Sequence, residues 1–141
     1  MISVTKIFHF EMAHAIHGYT GACQHIHGHS YELHVCVISE NQENEYLPAP
    51  GFKVDFKEIK ELVHTHIIKV LDHKLILSEA FLANTSISPV PENLFLWQVE
   101  PSAENLLHFI QQKINAILPS SIILSKLKLF ETKDSYAEWE K

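Results

Sequence analysis

Long apolar runs are missing from this chain. No uninterrupted stretch approaches the roughly 20 residues that a bilayer-crossing helix needs, and the opening MISVTKIFHF has neither the basic region, the apolar core nor the small-residue cleavage site of a secretory leader. Positive charge is also scarce: 11 Lys and Arg stand against 17 Asp and Glu, a formal charge of −6 at pH 7. That balance argues against a broad face able to displace counterions from a phosphate backbone. Neither nucleic-acid nor membrane partners are expected, and the chain reads as cytoplasmic. Cysteine is limited to Cys23 and Cys36. They could form one disulfide at most, and in a reducing compartment a thiol or metal role suits Cys23, which stands among histidines. Cys36 lies in the extended apolar run YELHVCVIS and reads as a small buried hydrophobe.

The remaining composition, 46% hydrophobic, 10% aromatic and 20% charged over 141 residues, is that of an ordinary globular protein. A chain of this length can bury well over half of its unfolded surface in one core. One domain over residues 1–141 is expected, with no linker, internal repeat or low-complexity tract.

Residues 2–10 and 30–39 alternate apolar and polar and read as strands, with Tyr31, Leu33, Val35 and Val37 on one face. HGYTGAC loops between them, and ENQENEYLPAPG forms a second, acidic loop. Asp55 is placed to cap a helix with Glu58 bonding back to it, and Phe56, Ile59, Val63, Ile67 and Val70 form its stripe through about Leu71. After LDHKLIL the chain reads as loop, then LFLWQV as a short strand. Ser102 caps a second helix whose stripe is Leu106, Leu107, Ile110, Ile114 and Ile117, and Pro119 ends it. SIILSKLKLFE is the last clear strand. The class is α+β, with helices covering one face of a mostly antiparallel sheet.

Six of the eleven histidines fall between positions 9 and 29, too dense a cluster for scattered surface or core imidazoles. His27 and His29 enter a strand two apart, so their side chains share a face, and Gly28 between them leaves room for close approach. The hairpin would bring His14 to meet them. Three neutral imidazoles with an open fourth position describe a catalytic metal site, whereas structural sites are closed and richer in thiolate. Cys23 could close the site as a fourth ligand or stand beside the metal as a reactive thiol, since a nearby cation favours the thiolate form that serves as base or nucleophile. His25 is out of phase with His27 and should face away; His9, His17 and His34 suit ordinary hydrogen bonds, and His64, His66 and His108 fall on helices. From spacing alone, Asp72 and His73 read as a turn residue and a histidine favoured by a helix C-terminus. Glu131 reads as a solvated strand-end charge and Glu104 as a carboxylate favoured in a first helical turn.

CxxxHGH at 23–29, FEMAH at 10–14, VDF at 54–56, LDH at 71–73, PSAENL at 101–106 and ETKDSYAEW at 131–139 occur in one order that resembles the 6-pyruvoyltetrahydropterin synthase family. The three-residue gap between Cys23 and HGH is similar to that of its bacterial branch, which makes 6-carboxy-5,6,7,8-tetrahydropterin for queuosine biosynthesis. The chain departs from the family's pattern at Met12, where Ala is frequent, and at Ser102, where Thr is. What the resemblance implies is the tunnelling fold: an antiparallel sheet with two helices on one face, assembled into an oligomeric barrel, commonly a homohexamer of two trimers with sites between subunits. It implies zinc on His14, His27 and His29, Cys23 as the proton-transferring catalyst with Asp72 and His73 as its partner pair, and Glu131 as the pterin anchor, with Glu104 in a substrate-site motif. The implied reaction takes 7,8-dihydroneopterin triphosphate to 6-carboxytetrahydropterin, acetaldehyde and triphosphate, with zinc as Lewis acid and no redox cofactor.

Overall fold

Period-two patterning in the first forty residues builds the centre of the sheet. In the computed structural model, which describes residues 1–41 and 45–141, strand β1 (Val4–His14) pairs antiparallel with β2 (His27–Ser39), Val4 opposite Val37 and His14 opposite His27. Both strands run further at the histidine end than the alternation alone suggested, because the ladder continues through Met12↔His29 and Ala13↔Gly28. Phe8, Phe10, Met12 and His14 share one buried face with Tyr31, Leu33, Val35 and Val37. Ile7, His9 and Glu11, with Glu32, His34 and Cys36, occupy the other face and stay wholly or partly exposed.

Cys36 therefore sits on the uncovered face, half-buried, and not in the core. Burial pushes its thiol up, but hydrogen bonds from Ser125, Ser3 and Thr5 and the Lys126 charge outweigh that and hold it below the ordinary value.

Among the described residues four more strands extend the sheet: β3 (Lys74–Ser78), β4 (Leu94–Trp97), β5 (Ile122–Thr132) and β6 (Ser135–Glu140), in the order β4-β3-β1-β2-β5-β6. The β1–β2, β2–β5 and β5–β6 pairs are antiparallel, while β3 lies parallel to β1 and to β4. β6 has too little apolar content to stand out in sequence; only Ala137 and Trp139 pack against the core.

Helix α1 (Phe56–Val63) continues through a π-helical turn (His64–Ile68) into Lys69–Leu71. Asp55 caps it by accepting the Lys57 N–H at 2.8 Å; among the described residues Glu58 makes no return bond. The π turn inserts a residue into the helical repeat and rotates the stripe. Ile59, Val63, Ile67, Ile68 and Leu71 are buried, Phe56 is half exposed, and Val70 is displaced to the margin. Helix α2 (Glu79–Asn84), in a stretch read as loop, is capped by Ser78. Its Phe81 packs with Ala15, Leu75 and Leu77, so β3 is covered on both faces, as parallel strands usually are. Helix α3 (Ala103–Ile117) starts at the expected Ser102 cap and buries Leu106, Leu107, Ile110 and Ile114.

The architecture is α+β, with α1 and α3 over one face and the short α2 on the other, against β3. Of the acidic loop at 40–51, residues 42–44 lie outside the described set. Among the described residues no helix is long and apolar enough to cross a membrane.

Candidate metal centre and cleft

Strand phase puts three imidazoles at one end of the buried sheet face. His14 faces His27 across the β1–β2 ladder and His29 follows two residues on; one ligand nitrogen from each lies within 4.8 Å of the others. Their tautomers follow from their partners. The Nδ1 of His14 is 2.6 Å from the Pro101 carbonyl and the Nδ1 of His27 is 2.7 Å from the His25 carbonyl. A carbonyl can only accept, so both Nδ1 atoms carry protons, and in the neutral form of each ring Nε2 is left with a lone pair. Those Nε2 atoms face each other at 3.0 Å. Two lone pairs so close repel unless a cation or a proton lies between them. The separation is near the roughly 3.3 Å edge of a tetrahedron with metal–nitrogen bonds of about 2.0–2.1 Å. Three neutral imidazoles without thiolate, two oriented from behind by carbonyls, make a donor set that fits a borderline divalent metal such as zinc.

Burial is the leading cause that holds His14 below its ordinary 6.5, against the Pro101 carbonyl and the Glu131 carboxylate, which raise it, and with His27 and His29, which lower it further. His29 is lowered chiefly by burial too, with Glu131 opposing and His27 adding. The unfolded chain takes up protons on these rings near 6.5 while the folded chain resists. The native state thus binds fewer protons, and stability is lost as pH falls through the unfolded and then the folded values. Metal-free protein is expected to keep a level denaturation midpoint above about 6.5 and a falling one below it; a midpoint that holds or rises on acidification would contradict neutral, buried rings.

Tyr31, fully buried, stacks on Phe10 and sets its ring edge-on to His14 and His29. Its hydroxyl donates to Glu131 Oε1 at 3.4 Å. Burial, followed by the Glu131 charge, pushes this phenol far above its usual range, so it remains a donor. Glu131 is not a solvated edge charge: its side chain is 26% exposed and Oε1 lies 3.8 Å from His14 Nε2.

Cys23 sits on a short 3₁₀ turn (Ala22–Gln24), its carbonyl bonded by the Ile16 N–H at 2.8 Å. The thiol is exposed and does not join the three-histidine group. It opens onto a cleft of about 680 Å³ together with His14, Tyr19, Ser102, Glu104 and Glu131. Glu104 is in the first turn of α3, as the sequence suggested.

Asp72 and His73 lie elsewhere. The helix stops at Leu71 with Asp72 as its C-cap, and His73 is the first residue beyond. It adopts a left-handed backbone (φ 59°), a conformation that costs a non-glycine residue about 1–3 kcal/mol. Three contacts hold it: its N–H donates to the Glu11 carbonyl at 2.6 Å, its carbonyl accepts from Asn93, and Asp72 Oδ1 accepts the Glu11 N–H at 2.9 Å. Asp72 Oδ2 is 3.7 Å from His73 Nε2. The exposed His73 ring borders a separate depression of about 350 Å³ with His29, Gly28 and Lys74. Within one chain, then, Cys23 and His73 line different recesses. Gly28 is not needed for strand approach, since a Cβ there would meet the Met12 carbonyl at an ordinary 3.5 Å. Met12 itself is buried in the core and reaches the same depression.

Three of the other histidines have ordinary partners: His34 bonds Glu32 at 2.6 Å with His9 3.8 Å from the same carboxylate, and His108 pairs with Gln112. His25 contributes only its carbonyl. Sequence reasoning gave no site role to Tyr19, Tyr31, Glu100 or Pro101, and took Tyr31 only as a strand-face residue. Carrying the i, i+2 phase one step past His29 would have found Tyr31. The Tyr19 ring rests where a Cβ on Gly21 would come within 2.4 Å of it, a contact that loop composition does not reveal.

An α+β sheet with a three-imidazole centre beside an exposed thiol and two carboxylates defines the class. The chain belongs to the family described as 6-pyruvoyl tetrahydropterin synthase, which it matches over residues 3–141. It is 27% identical to a Haemophilus influenzae protein named 6-carboxy-5,6,7,8-tetrahydropterin synthase, covering 99% of each chain, and 29% identical to a Rickettsia bellii protein of the same name over 98% of this chain and 99% of that one. A Pyrococcus furiosus protein named dihydroneopterin monophosphate aldolase is 26% identical over 93% of this chain and 90% of its own. Among solved structures, Caenorhabditis elegans 6-pyruvoyl tetrahydropterin synthase superposes with a TM-score of 0.71 at 18% identity, covering 99% of this chain and 95% of its own. At that identity the likeness speaks for the tunnelling fold alone.

Proposed function

We propose that this chain, one domain over residues 1–141 acting in the cytoplasm, converts 7,8-dihydroneopterin triphosphate to 6-carboxy-5,6,7,8-tetrahydropterin, acetaldehyde and triphosphate. The observation that carries the reading is the convergence of His14, Cys23 and Glu131 on one cleft, with His27 and His29 grouped around His14. Near-full-length likeness to the bacterial relatives of that name supports it.

His14, His27 and His29 would hold a zinc ion, which supplies Lewis-acid polarisation of the substrate's side-chain oxygens when bound. Cys23, as thiolate, takes a proton from carbon and returns it. Asp72, near His73 Nε2, holds that ring to move protons from the other side of the substrate. In one chain the pair opens on a different recess, so it would meet the cleft in an assembly, with a neighbouring copy supplying it. β4 and β6 are the two edge strands that such pairing would cover, in keeping with a homohexamer of two trimers. Glu131 accepts paired N–H bonds from the pterin, steadied by the Tyr31 hydroxyl, and Glu104 flanks the same cleft.

Incubating zinc-loaded protein with dihydroneopterin triphosphate tests this. Acetaldehyde together with the carboxylated pterin is the expected result. Triphosphate release without aldehyde would instead favour 6-pyruvoyltetrahydropterin as product, turnover confined to the monophosphate would favour aldolase chemistry of the archaeal relative's kind, and pterin binding without turnover would leave a noncatalytic zinc- or pterin-binding module.

A further inference from the structure

The segment Glu100–Pro101–Ser102, just before α3, reaches three parts of the centre at once. The Pro101 carbonyl takes the Nδ1 proton of His14 at 2.6 Å. One residue earlier, Glu100 Oε1 accepts the backbone N–H of His17 at 2.6 Å, across 83 positions of sequence. One residue later, Ser102 caps α3 and faces the cleft. The Glu100 backbone is itself fixed, its carbonyl accepting the Asn105 side-chain amide at 2.8 Å and the Ser102 N–H at 2.9 Å. The carboxylate thus projects from a fixed stretch of backbone two residues ahead of the α3 cap.

His17 belongs to the loop that carries Cys23. That loop leaves β1 at His14 and is closed by the Ile16 N–H on the Cys23 carbonyl. It contains Gly18 with φ at 80° and no helix or strand before the 3₁₀ turn. Its position depends on few contacts: His14 on Pro101 at its root, Ile16 on Cys23 across its neck, and His17 on Glu100 between them. Of these, the Glu100 bond is the one made by a side chain that is neither a candidate ligand nor a group assigned a catalytic or substrate role.

We propose that Glu100 is a positioning residue for Cys23: by holding the His17 N–H it locks the thiol-bearing loop to the same peptide segment that orients His14, so that thiol and metal centre keep one relative geometry. A charged acceptor at 2.6 Å is a strong hydrogen bond, and a misplacement of about 1 Å in a catalytic group can cost on the order of a hundredfold in rate. The catalytic part of this inference rests on the reading of Cys23 as the proton-transferring group; the anchoring part does not.

The test compares Glu100→Ala with Glu100→Gln, which keeps an acceptor oxygen, in zinc-loaded protein. Without substrate, amide exchange over residues 15–23 should quicken by about tenfold or more in Glu100→Ala, as befits loss of a bond to a charged group, and stay near wild type in Glu100→Gln, with zinc content equal in all three. With dihydroneopterin triphosphate, Glu100→Ala should lower kcat by about 10- to 100-fold with little change in KM, and Glu100→Gln should restore most of it. Unchanged exchange over 15–23 in Glu100→Ala overturns the anchor. Quickened exchange with unaltered kcat, in a wild type that turns over, overturns its catalytic consequence. A wild type without turnover removes the functional reading while the exchange comparison still decides the anchor.

Discussion

Cys23→Ala is expected to lower kcat by about 10²–10⁴-fold, the range for loss of a positioned proton-transfer group, while the protein keeps its full zinc content. The two halves of this result come from different observations. Rate falls because alanine can neither take nor return a proton at the cleft that also holds His14 and Glu131. Metal stays because the ligand nitrogens of His14, His27 and His29 form their group without the sulfur. The thiol is exposed on a short turn, so its removal should shift stability by no more than about 0.5 kcal/mol and a changed fold would not explain the loss. Turnover by Cys23→Ala within tenfold of wild type would demote the thiol to a bystander. Zinc lost along with activity would make Cys23 the fourth ligand and close the site.

Those regions whose local pattern agrees with their tertiary surroundings could be read from sequence. Ser102 at the start of an apolar 3.6-residue stripe gives α3, and Asp55 ahead of Ile59 and Val63 gives the start of α1. His27 and His29, two apart in an alternating run, can only point the same way. Where tertiary context overrides local pattern, reading stopped. The π turn at 64–68 moved burial from Val70 to Ile68 and Leu71, a shift no uniform helical period contains. β3 is buried on both faces because α2 covers it, so its short run KLILS has no alternation to detect. β6 exists because β5 offers an edge, pairing Phe130 with Tyr136 and Leu127 with Trp139. Cys36 sits in an apolar-looking run, yet strand phase turns it away from the core.

The site divides in the same way. The three imidazoles could be placed from spacing and hairpin geometry. Their orientation could not, because the acceptor for His14 is a proline carbonyl 87 residues away. Family resemblance supplied Asp72 and His73, which spacing alone would have left as a turn and a helix end. It did not indicate that they face another recess from Cys23, a matter of how the helix end folds back on Glu11.

His27→Ala is expected to remove the metal and with it the activity, leaving less than a tenth of an equivalent of zinc, on the order of what a ligand loss exceeding the 10–100-fold effect of an outer-sphere change would leave under chelator competition. His27 is half-buried at the mouth of the centre and contributes little to the core, so the variant should stay folded, whereas His14, at 2% exposure and bonded to Pro101, would leave a void and an unpaired carbonyl if truncated. His25→Ala is the informative contrast. Its ring is exposed and only its backbone carbonyl reaches the centre, holding the Nδ1 of His27 at 2.7 Å; alanine retains that carbonyl, so zinc content should match wild type. Histidine count would predict equal losses from the two substitutions, whereas strand phase predicts a large loss from one and none from the other. Full zinc occupancy in His27→Ala would mean that the facing Nε2 atoms of His14 and His27 share a proton and not a metal, and the catalytic reading of the cleft would fall with it.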